Sequence, residues 1–151
     1  MSRNRWLIIG GVLSAAAALI HVGCIVNGPG WYAFFGAPEP LIRALGNGNP
    51  ALHWITAGIA VILAIWSAYA FAGAGLLRRL PLMRTALVAI TGIYLARGVL
   101  IIPVLLQPDP KAFDVWSSLI VLGVGLVYLL GTWRAWPSLS RRETRLPVEL
   151  S

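Results

Sequence analysis

Four long apolar stretches dominate the pattern of hydrophobic and polar positions along the chain. They cover residues 6–26, 51–75, 83–106 and 115–133. Each is close to the roughly 20 helical residues that cross a hydrocarbon core of about 30 Å. Helix is the structure expected for each stretch, because an open strand would leave its backbone groups unpaired in lipid. Since the connections are short, neighbouring helices should be antiparallel.

The sequence therefore predicts an all-α membrane protein, a four-transmembrane-helix antiparallel bundle. Residues 1–136 should form this single domain, and residues 137–151 should form a polar tail. Composition agrees, because 58% of the 151 residues are hydrophobic and only 11% are charged. A soluble domain usually has about 25% charged residues, since its surface must face water.

The basic residues gather on one side of the predicted spans. Nine of them lie before the first stretch, around the turn between the second and the third, or after the fourth. They are Arg3, Arg5, Arg78, Arg79, Arg84, Arg134, Arg141, Arg142 and Arg145. Only Arg43 and Lys111 lie in the opposite loops. Basic loops stay in the cytoplasm, so both termini are predicted to be cytoplasmic and the protein to lie in a bacterial inner membrane. This placement explains the net charge of +7 without a nucleic-acid partner.

The longest connection, residues 27–50, is predicted to lie outside the membrane. Its aromatic run Trp31–Phe35 is bracketed by Gly30 and Gly36 and should lie in the headgroup region, where aromatic rings are enriched. Residues 40–45 are expected to form a short surface helix. Asn49 and Pro50 have the pattern of a helix start, a cap followed by a first-turn proline.

Ionisable residues within the stretches are candidates for function, because they are costly at membrane depth. His21, His53, Arg97 and Asp114 all fall in the outer, periplasmic half of the predicted bundle. Helical spacing places polar or small residues in one stripe on each span. The stripes are Ser14, His21 and Cys24; His53, Thr56, Ala60 and Ser67; Thr91, Tyr94 and Arg97; and Asp114, Ser118, Gly125, Tyr128 and Thr132.

Two interpretations of the stripes remain open. Facing one another, they would enclose a narrow polar pocket that opens outward under an aromatic lid. Alternatively, they are the small and hydroxyl-bearing residues that let membrane helices pack and hydrogen-bond. The predicted ligand-binding residues of the pocket are Arg97, His21, Tyr94, Asp114, His53, Trp31 and Tyr32.

Arg97 also has alternative roles. It is either a ligand contact or a structural cation, paired with Asp114 or reaching the outer interface past an early helix end at Pro103. His21 is a candidate acid or base, and otherwise a packed polar group. His21 and His53 together raise the alternative of a haem held between two helices. No other cofactor and no metal are expected, and the single cysteine, Cys24, excludes an intramolecular disulfide.

In its four short spans, its length and its aromatic outer loop, the chain resembles small four-helix inner-membrane proteins of bacteria of the DoxX-like kind. The segments that stand out are Gly28–Tyr32 and Arg97–Gly98. The resemblance implies a small inner-membrane bundle but no particular activity, so no site residue follows from it.

Together these features favour a non-catalytic membrane protein that binds a lipophilic small molecule, a lipid or a partner helix in its periplasm-facing half. The first alternative is a membrane enzyme in which His21 acts as acid or base and Arg97 stabilises developing negative charge. The second is a subunit of an oligomeric transporter or channel. A homo-oligomer is compatible with each of these.

Overall fold

A computed structural model describes residues 4–139, and this part of the chain is entirely helical apart from turns. Its helices are α1 (Arg5–Asn27), α2 (Pro29–Phe34), α3 (Glu39–Gly46), α4 (Ala51–Gly73), α5 (Met83–Val99), α6 (Ile101–Leu105) and α7 (Ala112–Leu139). Four segments are long and apolar enough to cross a membrane: α1, α4, α5 with α6, and α7. The all-helical fold with four segments long and apolar enough to span a membrane is confirmed, and these segments are called spans below.

The spans pack as two antiparallel pairs. Helix α1 lies mainly against α4, and α5 lies mainly against α7. Contacts of α1 with α7 and of α4 with α5 join the pairs, so that α1 and α5 are diagonal partners across the bundle. One end of the bundle carries the α2–α3 connection and is called the loop end here. The other, called the basic end, carries Arg5, Arg78, Arg79, Arg84 and Arg134.

The third span is interrupted at Leu100, between α5 and α6. Pro103 explains the break, because it has no N–H to offer the carbonyl of Val99 and its ring crowds that carbonyl. The sequence predicted an early helix end at Pro103. The structure instead has the break three residues earlier, at Leu100, and Pro103 itself lies inside α6. Arg97 consequently lies in the last turn of α5.

The fourth span is longer than predicted. Helix α7 begins at Ala112, three residues before the expected start, and in its first turn Asp114 N–H donates to the Lys111 carbonyl (3.0 Å). It continues to Leu139 and includes Pro137, which was expected to begin the tail. Packing explains the extension, because Leu139 lies against the core cluster. The rest of the predicted tail lies outside the described residues.

Helices α2 and α3 form a cap on the loop end of α1 and α4. Buried Cys24, Tyr32 and Leu52 are its centre, and side chains from α3 pack around them. The predicted surface helix over 40–45 is confirmed by α3. The predicted helix start at Asn49 is shifted by one residue: α4 begins at Ala51, whose N–H donates to the Asn49 side chain (2.9 Å).

The exterior of the bundle is apolar. No span has more than a third of its most apolar 18-residue segment buried inside the structure. Large apolar side chains on all four spans are instead exposed, for example Leu19 at 71% on α1 and Trp133 at 74% on α7. In water such a surface would be a large association-prone patch. The four apolar helices are therefore compatible with an integral, multi-pass membrane protein.

Candidate functional site

The polar stripes of the four spans turn toward one another. Of their members, Ser14, Thr56, Ser67, Thr91, Tyr94, Ser118, Tyr128 and Thr132 are buried. The centre of the contact is the hydroxyl of Ser14, which lies 2.8 Å from the hydroxyls of both Tyr94 and Tyr128. Since Ser14 belongs to α1 and Tyr94 to α5, this bond crosses the diagonal of the bundle.

The donor and the acceptor of each bond in this chain of hydroxyls follow from its last acceptor, a carbonyl. The Trp66 carbonyl can only accept, so Tyr128 donates to it (3.4 Å). Ser14 is then free to donate to Tyr128, and Tyr94 to donate to Ser14. Every hydroxyl proton is used, and one chain of bonds joins α5, α1, α7 and α4.

Aromatic rings enclose this hydroxyl chain. Tyr94 stacks on Tyr128 with ring centroids 5.3 Å apart, and Trp66 meets Tyr94 edge-on at 5.0 Å. Gly10 makes room for the Tyr128 ring, because a Cβ there would lie 2.9 Å from a ring carbon. Of the predicted site residues, Tyr94 therefore serves the packing of the bundle centre. Sequence analysis placed Ser14 and Tyr128 in stripes, but spacing alone did not show that their hydroxyls meet.

Arg97 is exposed on the outside of α5, in the half nearer the loop end. Its Nη1 donates to the Ser118 hydroxyl of α7 over 3.4 Å, which is long for a hydrogen bond to a charged donor. Ser118 itself is 1% exposed. Asp114 lies one turn earlier on α7 and makes no ion pair with Arg97, although both residues lie in the described part of the chain. Ser118, not Asp114, is therefore the partner of Arg97.

His21 is half-buried on α1, and its Nδ1 donates to the Ala17 carbonyl one turn earlier (2.8 Å). This bond orients the ring along its own helix. His21 and Arg97 lie on diagonal helices, and no hydrogen bond or ion pair joins them in the described structure. The residues proposed as an acid–base and electrostatic pair are not brought into contact.

The remaining predicted residues meet in the cap. The hydroxyl of buried Tyr32 and Nδ1 of His53 are 2.8 Å apart, and their rings pack at 5.5 Å. This pair links α2 to the first turn of α4. Trp31 is half-exposed and lies against Gly23 of α1, where a Cβ would come within 2.8 Å of its ring. Tyr32 and His53 therefore hold the cap in place, while Trp31 lies at its edge.

Open grooves occur on the sides of the bundle. One lies between α1 and α4, bordered by small residues such as Ala15 and Ala64. Another, of about 510 Å³, lies between α5 and α7 toward the basic end. None of the seven predicted ligand-binding residues lines either of these two grooves or the opening beside Arg84 and Trp136. In the described part of the chain, no three or more histidine, cysteine or carboxylate side chains cluster in a way that could hold a metal ion.

Comparison with known proteins found no matching family model, no matching curated protein and no matching solved structure. The proposals that follow therefore stand on the residues of this chain.

Proposed function

We propose that this chain is a multi-pass protein of a bacterial inner membrane, with both termini in the cytoplasm. We propose further that it is a binding protein, not an enzyme, and that its periplasm-facing half binds a lipid or lipophilic molecule with an anionic or carbonyl head. The observation that carries this proposal is Arg97, an exposed cation on an exterior that is otherwise apolar away from the two ends of the bundle.

The guanidinium of Arg97 has unused bonding capacity. Placing an arginine near the centre of a membrane span costs about 2.5–3.5 kcal/mol on insertion scales. Part of that cost is offset by its position in the last turn of α5, from which the side chain can extend toward the interface. Among the described residues it bonds to one neutral hydroxyl at 3.4 Å, whereas a guanidinium has five N–H donors. A phosphate or carboxylate head would supply short, charge-assisted bonds.

The exposed aromatic residues of the cap also indicate that the loop end is the binding end of the molecule. Phe34 and Trp54 are 75% and 74% exposed there, and Trp116 at the start of α7 is 65% exposed. Rings of this kind are enriched where a membrane meets water. The ring of Phe113 lies within 2.5 Å of the position that a Cβ on Gly36 would take, so the cap also reaches α7. Arg97 would then lie just below the headgroups, where an amphiphile has its polar head.

The described contacts favour neither alternative function. The enzyme alternative needs His21 beside Arg97, and the structure places them on diagonal helices. The transporter or channel alternative needs a polar path through the bundle. At the bundle centre, the hydroxyls instead bond to one another, between stacked rings.

The test of the proposal is the variant Arg97→Gln. A matched control is Arg43→Gln, which removes an exposed arginine at the same end that is already paired with Glu39 (3.1 Å). Arg97→Gln should weaken binding of co-purifying lipid by the roughly 1.5–3 kcal/mol of a hydrogen bond to a charged group, about tenfold or more. Native mass spectrometry from a mild detergent measures bound lipid, and a melting curve after delipidation measures stability.

Arg43→Gln should leave both measurements unchanged, and Arg97→Gln should leave the delipidated melting temperature nearly unchanged. A structural cation would behave differently. If Arg97→Gln lowered the melting temperature of the delipidated protein strongly while the lipid content stayed constant, the binding proposal would be wrong.

A further inference from the structure

A second feature of the exterior lies away from Arg97, in the groove between α5 and α7 toward the basic end. Its walls are Val88, Gly92 and Leu95 on one side and Leu129, Trp133 and Trp136 on the other. It continues without a gap into a second opening bordered by Arg84, Thr85 and Ala89, because Val88 and Trp136 border both. The combined groove is apolar along its length and has an arginine at one end.

We propose that this groove binds one anionic phospholipid, with an acyl chain along α5 and the headgroup at Arg84. The site rests on the membrane location proposed above, but it does not involve Arg97. It lies at the opposite end of the bundle and belongs to the opposite leaflet.

The length of the groove fits one leaflet. From Arg84 to Leu95 the helix advances 11 residues, which at 1.5 Å per residue is about 17 Å. A hydrocarbon core of about 30 Å gives each leaflet about half that thickness. A single acyl chain starting at the level of Arg84 would therefore end near Leu95, at the middle of the membrane.

The hydroxyl groups at the floor of the groove already have hydrogen-bond partners within the protein, so a bound molecule need not supply any. The hydroxyl of Thr91 donates to the Leu87 carbonyl (2.7 Å) and lies 3.4 Å from the hydroxyl of Thr132. Both hydroxyls are thus engaged within the bundle. Beside them, Gly92 leaves open space, because a Cβ there would meet nothing within 4 Å. A hydrocarbon chain suits such a surface.

The mouth of the groove selects for negative charge. The guanidinium of Arg84 lies over the Trp136 ring, 4.3 Å from its centroid, so the cation is held at the wall of the groove. Arg78, Arg79 and Arg134 lie at the same end of the bundle. Basic residues at a membrane surface attract anionic lipids.

This charge also argues against a second copy of the chain as the occupant. Two copies related by a two-fold axis along the membrane normal and packed through this groove would bring the arginines of both basic ends together. Like charges facing one another oppose such an interface. An anionic lipid has the complementary charge. Its acyl chain fits the apolar groove, and its headgroup fits the basic mouth.

The experiment uses the full chain, reconstituted in nanodiscs of phosphatidylcholine and phosphatidylglycerol in equal amounts and released for native mass spectrometry. Wild type should retain phosphatidylglycerol in preference to phosphatidylcholine. Arg84→Gln should reduce that preference about tenfold or more, as expected for a lost charge-assisted bond, and Arg84→Lys should retain part of it. Gly92→Leu should fill the groove and reduce retention of both lipids.

The matched control for the groove is Gly58→Leu on α4, another exposed span glycine whose Cβ would meet nothing within 4 Å. It should retain lipid as wild type does, and melting curves should show that all variants are folded. Equal retention in Gly92→Leu and Gly58→Leu, or an unchanged lipid preference in Arg84→Gln, would overturn the proposal. Loss of a dimer in Gly92→Leu would overturn it in favour of a second copy. Arg97→Gln should leave this lipid bound, so the two sites can fail independently.

Discussion

At the scale of single residues, the hydroxyl of Ser14 is the contact on which the centre of the bundle depends. It lies close to the middle of α1, and its two bonds of 2.8 Å reach helices that the chain separates by 80 and 114 residues. Hydrogen bonds between membrane helices contribute about 0.6 kcal/mol on average and at most about 1.7 kcal/mol. Ser14 makes two of them in a region that water does not reach. Removing its hydroxyl should therefore lower the free energy of unfolding more than removing a peripheral hydroxyl would.

We expect Ser14→Ala to lower the free energy of unfolding by about 1–3 kcal/mol, because both tyrosine hydroxyls lose a buried partner. Tyr94→Phe should cost less, since Ser14 keeps its bond to Tyr128. Ser117→Ala is the control, because that hydroxyl bonds only the carbonyl of Asp114 in its own helix (3.2 Å). Unfolding in mixed micelles with a rising fraction of dodecyl sulfate measures the free energy of unfolding of each variant and so ranks their losses. A loss in Ser117→Ala as large as in Ser14→Ala would argue against the central role of the hydroxyl chain.

At the scale of helices, α5 and α7 approach one another through glycine. A Cβ on Gly98 would lie 2.6 Å from the Leu122 Cα, and one on Gly125 would lie 3.0 Å from the Leu95 backbone nitrogen. Backbone atoms cannot move aside as the end of a flexible side chain can. Small residues at such crossings let membrane helices pack closely.

Gly98→Ala should therefore destabilise the protein by about 1–3 kcal/mol, the usual cost of overpacking. Gly92→Ala, on the open side of the same helix, should be neutral or raise stability slightly, because glycine inside a helix costs about 0.5–1 kcal/mol relative to alanine. Melting temperatures of the two variants in one detergent make the comparison. Equal losses would mean that the α5–α7 contact is looser than the structure shows.

At the scale of the whole molecule, the two ends of the bundle differ in charge and in shape. The basic end carries at least five arginines among the described residues, and the loop end carries the aromatic cap. Positive residues are retained in the cytoplasm during insertion, so the asymmetry predicts which end faces inward.

A reporter enzyme that is active only in the periplasm should therefore be silent when fused after Ser151 or inserted near Leu80. The same reporter should be active when inserted near Asn47, between α3 and α4. Reporter activity in colonies gives the result directly. A periplasmic signal from the fusion after Ser151 would reverse the orientation and would move Arg97 to the cytoplasmic half.

The sequence by itself determined the helical fold, the number of spans and the break near Pro103. Hydropathy accumulates over about 20 residues, each helix satisfies its own backbone bonds, and proline acts on its own turn. Local spacing also placed the polar residues in stripes, most of whose hydroxyl-bearing members are buried in the structure, whereas Arg97 is exposed.

The tertiary structure alone decided which side chains meet. Asp114 and Ser118 are one turn apart on α7, and only the rotation and depth of that helix against α5 made Ser118 the partner of Arg97. The same holds for the Ser14 hydroxyl chain and for the groove beside Gly92, which the pattern of polar positions did not predict. These contacts join different helices, from 21 residues apart for Arg97 and Ser118 to 114 residues apart for Ser14 and Tyr128. They depend on how the helices pair, and no local property of the chain encodes that pairing.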